Sequence, residues 1–523
     1  MSEPYYITTA ISYPNGRPHI GHAYEAIAAD AMARFRRAQG RDVRLVTGTD
    51  EHGLKMAQTA RGEGRDTLEF ANEMSCYFRQ MCDDLNISYD AFVRTTEPRH
   101  EAASVALWKA MEAAGDLYLD RYEGWYSVRD EAFYEETELT DGDGCEKLSP
   151  QGTPVEWTKE ESWFFRLSNY QDRLLDYYRE HPDFIQPDSR RNEVLRFVEG
   201  GLRDLSVSRT SFDWGVKVPG SPDHVMYVWV DALTAYMTGV GFPATDGEFA
   251  RFWPADVHLI GKDIVRFHAV YWPAFLMSAK LPLPKQVYGH GFILAKGGEK
   301  MSKSLGNVVD PMAMAQRYGV DPLRYFLLRE VSFGQDGSYS HEAIVNRVNS
   351  ELANSFGNLA QRSLSMVFKN LDGVVPKFDN APDGLALQAH VADACRNQLP
   401  RQFEDFSFSL GIDDWLRAVF ECNAYVDIKA PWALRKTDPL QMVEVLGTLF
   451  VCIRDLAIAI RPIVPRSADA LLDQMGIPKD ERDFPALADT TWYERLRLSG
   501  FRLNQPNPIF PRLEMDDGAA EAA

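Results

Sequence analysis

Apolar and polar positions near the start of the chain fall into a strand–helix–strand pattern. Tyr5 to Thr9 is a β-rich apolar run, Ser12 to His19 is a polar turn, and residues Gly21 to Gln39 read as a helix. Gly40 ends that helix, and Val43 to Thr47 reads as a second buried strand. This spacing predicts a parallel βαβ unit. The pattern returns with a strand at Val257 to Ile260, a helix from Ile264 to Ala279 and a strand at Gln286 to Gly289. Between the two halves, Asp120 to Ser211 changes character. It shows short Tyr- and Trp-rich strands, an acidic turn at Asp141 to Gly144, and helical patterns at Tyr170 to Glu180 and Asn192 to Arg203. We read it as an insertion into the sheet domain. After about Ser340 the pattern is helical: Leu352, Phe356 and Leu359 share one face, as do Leu446, Leu449, Phe450, Ile453 and Leu456. Pro376 to Gly384 reads as an interhelical loop, and the acidic, Ala-rich end as a disordered tail. The expected class is α/β: a parallel-sheet domain split by an insertion, followed by an all-α domain.

Composition narrows this picture. The chain has 523 residues, too many for one core, so two to four domains are expected. A net charge of -20 argues against a general nucleic-acid coat, which needs cations facing the polymer. A local basic surface remains open at Arg190, Arg191, Arg196, Arg203 and Arg209, with a solvated helix face as the alternative. The six cysteines lie at 76, 82, 145, 395, 422 and 452, never as C-x-x-C, which signals neither a zinc knuckle nor a redox pair. Their scattered use fits a reducing cytoplasm, no signal peptide is read, and no apolar run reaches membrane-spanning length.

Two short constellations carry candidate chemistry. His19-Ile20-Gly21-His22 lies between the first strand and its helix. A turn there places backbone N–H groups and imidazoles over a helix N-terminus, at the sheet edge where nucleotides bind. Gly21 would admit a ribose or adenine close to the backbone. Lys300-Met301-Ser302-Lys303-Ser304 lies between Gly297-Gly298 and Gly306-Asn307. Two lysines in a glycine-flanked loop can close on a triphosphate and neutralise charge on a leaving pyrophosphate. Surface histidines and a solvated basic loop are the plain alternatives for each motif taken alone.

Together and in this order, the two motifs resemble the paired signatures of class I aminoacyl-tRNA synthetases, over nearly the whole chain. The resemblance implies a Rossmann-type catalytic domain and an anticodon-binding helical bundle. It also implies ATP, with Mg2+, activating an amino-acid carboxylate before transfer to tRNA. The motifs stand about 280 residues apart. That leaves no room for the large editing domain of the isoleucine, valine and leucine enzymes, and no ligand set for the zinc of the cysteine enzyme is visible. Local segments then resemble methionyl-tRNA synthetases: Ala10 to Gly16, Gly48 to Gly53, Tyr227 to Leu233 and Gly261 to His268.

By that resemblance the methionine pocket is formed by Ala10, Ile11, Tyr13, Trp229, Ala232, Leu233, Tyr236, Ile264 and His268, with Asp50 on the ammonium group. The nucleotide site takes His19, Gly21, His22, Glu25, Gly261, Lys262, Asp263, Lys300, Met301, Ser302, Lys303 and Ser304. Arg209 joins His19, His22, Asp50, Lys300 and Lys303 as a catalytic candidate. A thioether suits aromatic and aliphatic walls, and Tyr13 and His268 each offer a polar hydrogen to the weakly accepting sulfur. Many relatives carry C-x-x-C knuckles and zinc in the insertion. Here Cys145 stands alone, which one thiolate cannot make into a tetrahedral site, so no structural zinc is expected.

In the helical part, Asn358 to Arg362 and Ala430-Pro431-Trp432 resemble anticodon readers. Asn358 and Arg362 are four apart on one helix face, and a proline beside Trp432 lets its ring be presented to an unstacked base. The expected partners are tRNA(Met), including the initiator, with L-methionine and ATP. No membrane is expected, and the chain is expected to be a cytoplasmic monomer. The expected division is 1–119 and 212–295 for the catalytic halves, 120–211 for the insertion, 296–345 for the lysine loop and linker, 346–512 for the bundle and 513–523 for the tail. A stand-alone nucleotidyltransferase is disfavoured by the helical half. A non-catalytic tRNA-binding relic is disfavoured by both phosphate motifs and Asp50, and another amino acid within the class is the closest rival.

Overall fold

The computed structural model describes residues 2–129, 132–142, 146–294, 308–375, 377–379, 381–489, 491–498 and 502–515. The Lys300–Ser304 motif, Cys145 and residues 516–523 of the tail lie outside them.

β1 (Pro4–Thr9), α1 (Ile20–Ala38) and β2 (Asp42–Thr49) form the expected unit. Helices α2 (Leu54–Gly62) and α3 (Thr67–Asp84) then lead to β3 (Ala91–Arg94) and α4 (Pro98–Ala113). The six-stranded sheet is parallel throughout. Its order is Ala91–Arg94, Asp42–Thr49, Pro4–Thr9, Val257–Gly261, Val287–His290 and Ile185–Gln186. The strand order reverses between β1 and Val257–Gly261, so the chain leaves these neighbouring strands in opposite directions. A crevice forms at their carboxyl ends, as in other doubly wound sheets. Gly48 is required at the β2–β3 contact: a Cβ there would lie 1.9 Å from the Val93 carbonyl oxygen.

The insertion is built on one long hairpin where short strands were expected. Leu117–Ser127 pairs with Pro154–Phe165, with Trp125 opposite Trp157 and the rings edge-on at 5.4 Å. Near its tip three buried hydroxyls join: Ser127 Oγ lies 2.7 Å, and Ser149 Oγ 2.8 Å, from Thr153 Oγ1. Helix α5 (Gln171–Glu180) follows, and α6 spans Asp188–Glu199 where Asn192 to Arg203 was expected. Pro187 supplies the start, and Gly200–Gly201, the latter at φ +101°, the end. The arginine cluster is not one surface. Arg196 and Arg203 are exposed, Arg190 and Arg191 half-buried, and Arg209 buried.

The expected helix 264–279 is interrupted. Phe267–Tyr271 forms a wide turn in which the Trp272 N–H reaches the Phe267 carbonyl, and a regular helix, Trp272–Ser278, follows. Pro273 lacks an N–H and crowds the preceding turn. The helical half begins earlier than expected, at Pro311–Tyr318, where Asp310 caps the Met312 N–H at 2.8 Å. Its centre is Pro439–Ile460, apolar on nearly all sides and surrounded by other helices. The buried Arg324 joins the two halves: its guanidinium lies 2.6 Å from Asp30 of α1 and donates to the carbonyls of Pro462 and Ile463. No helix among the described residues is long and apolar enough to cross a membrane.

Candidate active site

A cavity of about 430 Å³ opens at the switch point of the sheet. Ala10, Ile11 and Tyr13 follow β1, and Asp50 follows β2. Trp229, Ala232, Leu233 and Tyr236 come from α7 (Val228–Thr238), and Gly261, Asp263, Ile264 and His268 follow the fourth strand. His19, Gly21, His22 and Glu25 from the start of α1 form a further part of the wall. Segments more than 200 residues apart in sequence thus converge because parallel strands deliver their carboxyl ends to one edge. Two residues singled out in the sequence are not in this wall. Lys262 turns away, its Nζ 2.7 and 2.8 Å from the carboxylate oxygens of Asp336. Arg209 is buried beside the insertion, where Nη1 donates to the Ser208 carbonyl at 2.7 Å and the guanidinium covers Tyr227.

The two histidines of the first motif cap α1. The Gly21 N–H donates to His19 Nδ1 and the His19 N–H to His22 Nδ1, each at 3.1 Å. With Nδ1 accepting, a neutral ring carries its proton on Nε2, the tautomer that can donate to a phosphate oxygen. Gly21 makes room for this arrangement: a Cβ would sit 2.9 Å from His19 Cε1.

At the other end the wall is aromatic. Trp229 lies flat on Phe267 with centroids 3.8 Å apart, and His268 meets the Trp229 ring edge-on at 6.0 Å. The role expected for His268 as a donor to sulfur needs correction. Its Nδ1 donates to the Ile264 carbonyl at 2.9 Å, so Nε2 accepts from the Tyr236 hydroxyl at 2.6 Å. Burial pushes its pKa down to about 4, keeping the ring neutral with no N–H left to offer. The Tyr13 hydroxyl oxygen accepts from the Met56 N–H at 2.9 Å.

Several cavity residues escaped the sequence reading, among them Phe267, His290, Gly291 and Phe292, with Arg129 and Gln151 from the insertion. The rule that strand carboxyl ends line such crevices would have found His290, the last residue of Val287–His290. Its Nδ1 donates to the Gly291 carbonyl at 2.7 Å, and its Nε2 lies 2.9 Å from Glu25 Oε2. A proton must occupy the second contact. Burial and the carboxylate act in opposite directions on His290, and Glu25 wins, raising its pKa. Burial raises that of Glu25 against the opposing pull of His290. The pair therefore holds its shared proton beyond the ordinary range of either group.

A parallel sheet with a switch-point cavity, an HxGH turn capping its first helix and a helical domain behind it define a class I aminoacyl-tRNA synthetase. Residues 5–364 match the family described as tRNA synthetases class I (M), and 386–522 the anticodon binding domain of methionyl tRNA ligase. The methionine–tRNA ligase of Rhizobium meliloti is 57% identical over 98% of either chain. That of Brucella suis is 55% identical over 98% of this chain and 99% of its own. A crystal structure of Mycobacterium tuberculosis methionyl-tRNA synthetase bound by methionyl-adenylate superposes with a TM-score of 0.93 at 52% identity. It covers 97% of this chain and all of that one. The free-state structure of the same enzyme gives 0.87 at 49% identity, covering 99% of each. The chain belongs to the methionyl-tRNA synthetase family.

Proposed function

We propose that this protein is a methionine–tRNA ligase whose cavity holds methionine at its aromatic end and ATP at its histidine end. The observation that carries this reading is the meeting, in one cavity, of the capping imidazoles, the Asp50 carboxylate and the α7 aromatic wall. The methionine carboxylate attacks the α-phosphorus of ATP. The bond from that phosphorus to the bridging oxygen breaks, and pyrophosphate leaves; Mg2+ accompanying ATP would help to offset its charge. A hydroxyl of the terminal tRNA ribose then attacks the acyl carbon and displaces AMP. No protein nucleophile is needed; positioning and charge stabilisation supply the rate. His19 and His22 donate to phosphate oxygens, and the charge of the leaving pyrophosphate is assigned to Lys300 and Lys303, with Met301, Ser302 and Ser304 of the same motif. Gly21, Glu25, Gly261 and Asp263 hold the nucleoside.

Asp50 binds the ammonium group. Ala10, Ile11, Tyr13, Trp229, Ala232, Leu233, Tyr236, Ile264 and His268 enclose the side chain, His268 through its ring and not through a hydrogen bond. Lys262 and Arg209 act from outside the cavity wall, by holding Asp336 and the insertion. Asn358, Arg362 and Trp432 read the anticodon of tRNA(Met), initiator included. Supporting that reading, Asn358 is exposed, Trp432 is 49% exposed, and the Arg362 guanidinium lies 5.2 Å over the Trp432 ring. The insertion is zinc-free in this reading, held by packing and by the Ser127–Thr153–Ser149 hydroxyls. The enzyme works as a cytoplasmic monomer, with the domain division set out above. Pyrophosphate exchange measured over all twenty amino acids tests the specificity: methionine alone should support rapid exchange, and a stronger response to another amino acid would overturn it.

A further inference from the structure

Behind the methionine end of the cavity lies a buried cluster whose members, Asp231, His52 and His100, are not among the residues lining it. Asp231 of α7, 1% exposed, receives His52 Nδ1 on one carboxylate oxygen at 2.6 Å and His100 Nε2 on the other at 2.7 Å. His100 belongs to α4 and is fully buried. Its Nδ1 lies 3.0 Å from Thr238 Oγ1, whose own hydrogen goes to the Thr234 carbonyl, so that nitrogen donates. Burial alone would raise the Asp231 pKa, but the two imidazoles hold it well below the usual carboxylate range.

The position of this cluster gives it a function. Ala232 and Leu233, assigned to the amino-acid side chain, come one and two residues after Asp231, and two residues before His52 stands Asp50, assigned to its ammonium group. The Asp50–Gly53 loop is fixed on its other side as well. Glu51 is held by Arg94 at 2.6 and 2.8 Å, its carbonyl accepts from Trp214 Nε1 at 2.7 Å, and the Gly53 N–H reaches the Trp214 carbonyl. We infer that Asp231 and His52 form a clamp that sets the distance between the ammonium-binding carboxylate and the side-chain pocket, so that both are positioning residues for methionine. A free amino acid offers two handles, and a mismatch of about 1 Å between their receptors costs much of the affinity. The inference rests on the placement of Asp50 at the ammonium group.

The test is steady-state pyrophosphate exchange with the full-length enzyme, varying methionine and ATP separately. His52→Ala should raise KM for methionine about tenfold, with KM for ATP and kcat changed less than about threefold. His52→Gln, which can still donate to Asp231, should recover most of that loss. Asp231→Asn should also stay close to the parent, since its amide oxygen can accept from His52 and its nitrogen donate to His100 Nε2. Asp231→Ala should behave as His52→Ala or worse. If Asp231→Ala fails to fold, the His52 pair alone decides. Asp50→Ala serves as the control. If it raises KM for methionine while His52→Ala does not, the clamp is overturned and the ammonium site stands. If Asp50→Ala leaves KM unchanged, the ammonium placement falls and takes the clamp with it. Equal increases in both substrates' KM for His52→Ala, unrescued by glutamine, would reduce the cluster to a folding element.

Discussion

The cavity and the Arg362–Trp432 face both present aromatic rings with polar neighbours, but the cavity's rings are buried or half-buried while Trp432 is exposed. In the cavity, each ring is fixed by something behind it. Tyr236 donates to His268 and its carbonyl accepts from Tyr6, His268 is tied to Ile264, and Trp229 lies flat on Phe267. On the helical domain, Trp432 follows Pro431 after the left-handed Ala430, at φ +45°, and is covered on one face by a guanidinium that also pairs with Asp427 at 2.9 Å. The difference follows from the targets proposed for them. A small amino acid must be enclosed and stripped of water, which needs a wall whose rings are held in place. A base offered by a loop needs an open face to stack on.

This contrast can be broken or sharpened in order of expected effect. Asp50→Ala should lower kcat/KM for methionine about 10³-fold in exchange, since a buried ammonium would lose its counter-charge. A loss below tenfold would show that another group carries that role. His19→Asn keeps a side chain able to cap α1 but removes the Nε2 donor. Exchange kcat should fall about 10²-fold while the thermal midpoint stays near the parent's, and an unchanged kcat would mean that the ring serves only the helix. Trp432→Ala should slow aminoacylation at least about tenfold and leave exchange intact, separating the two regions cleanly. Equal loss of both would place the ring in the fold.

The pH dependence should be confined to the nucleotide end. The His290 pKa is raised in the folded protein, so the Glu25 contact is complete below the ordinary histidine value of 6.5 and is lost as pH rises through the raised one. KM for ATP should climb severalfold on the alkaline side, with KM for methionine flat across the same range, and His290→Gln should flatten the ATP profile. The smallest effect is Arg362→Ala. Losing one face of the Trp432 contact should weaken charging by about threefold, and a loss exceeding that of Trp432→Ala would make the arginine the primary reader.

The strand–helix–strand units, the insertion and the helical half were readable along the chain, because periodicity of apolar residues reflects which face is buried within a single element. So was the HxGH turn, whose residues act within one helix terminus. The interruption at Phe267–Tyr271 was not, because its cause, Pro273, resembles a helix-start signal as much as a break. His290, Phe267, Arg129 and Gln151 reach the cavity only through sheet order and the reach of the hairpin. The proton positions that remove His268 as a donor depend on Ile264 and Tyr236 folding around it. Local sequence thus set the kinds of element and the chemistry each could carry. Contacts across hundreds of residues decided which side chains share a cavity, which protons are already committed and which charges are paired, since these depend on distances that no local pattern specifies.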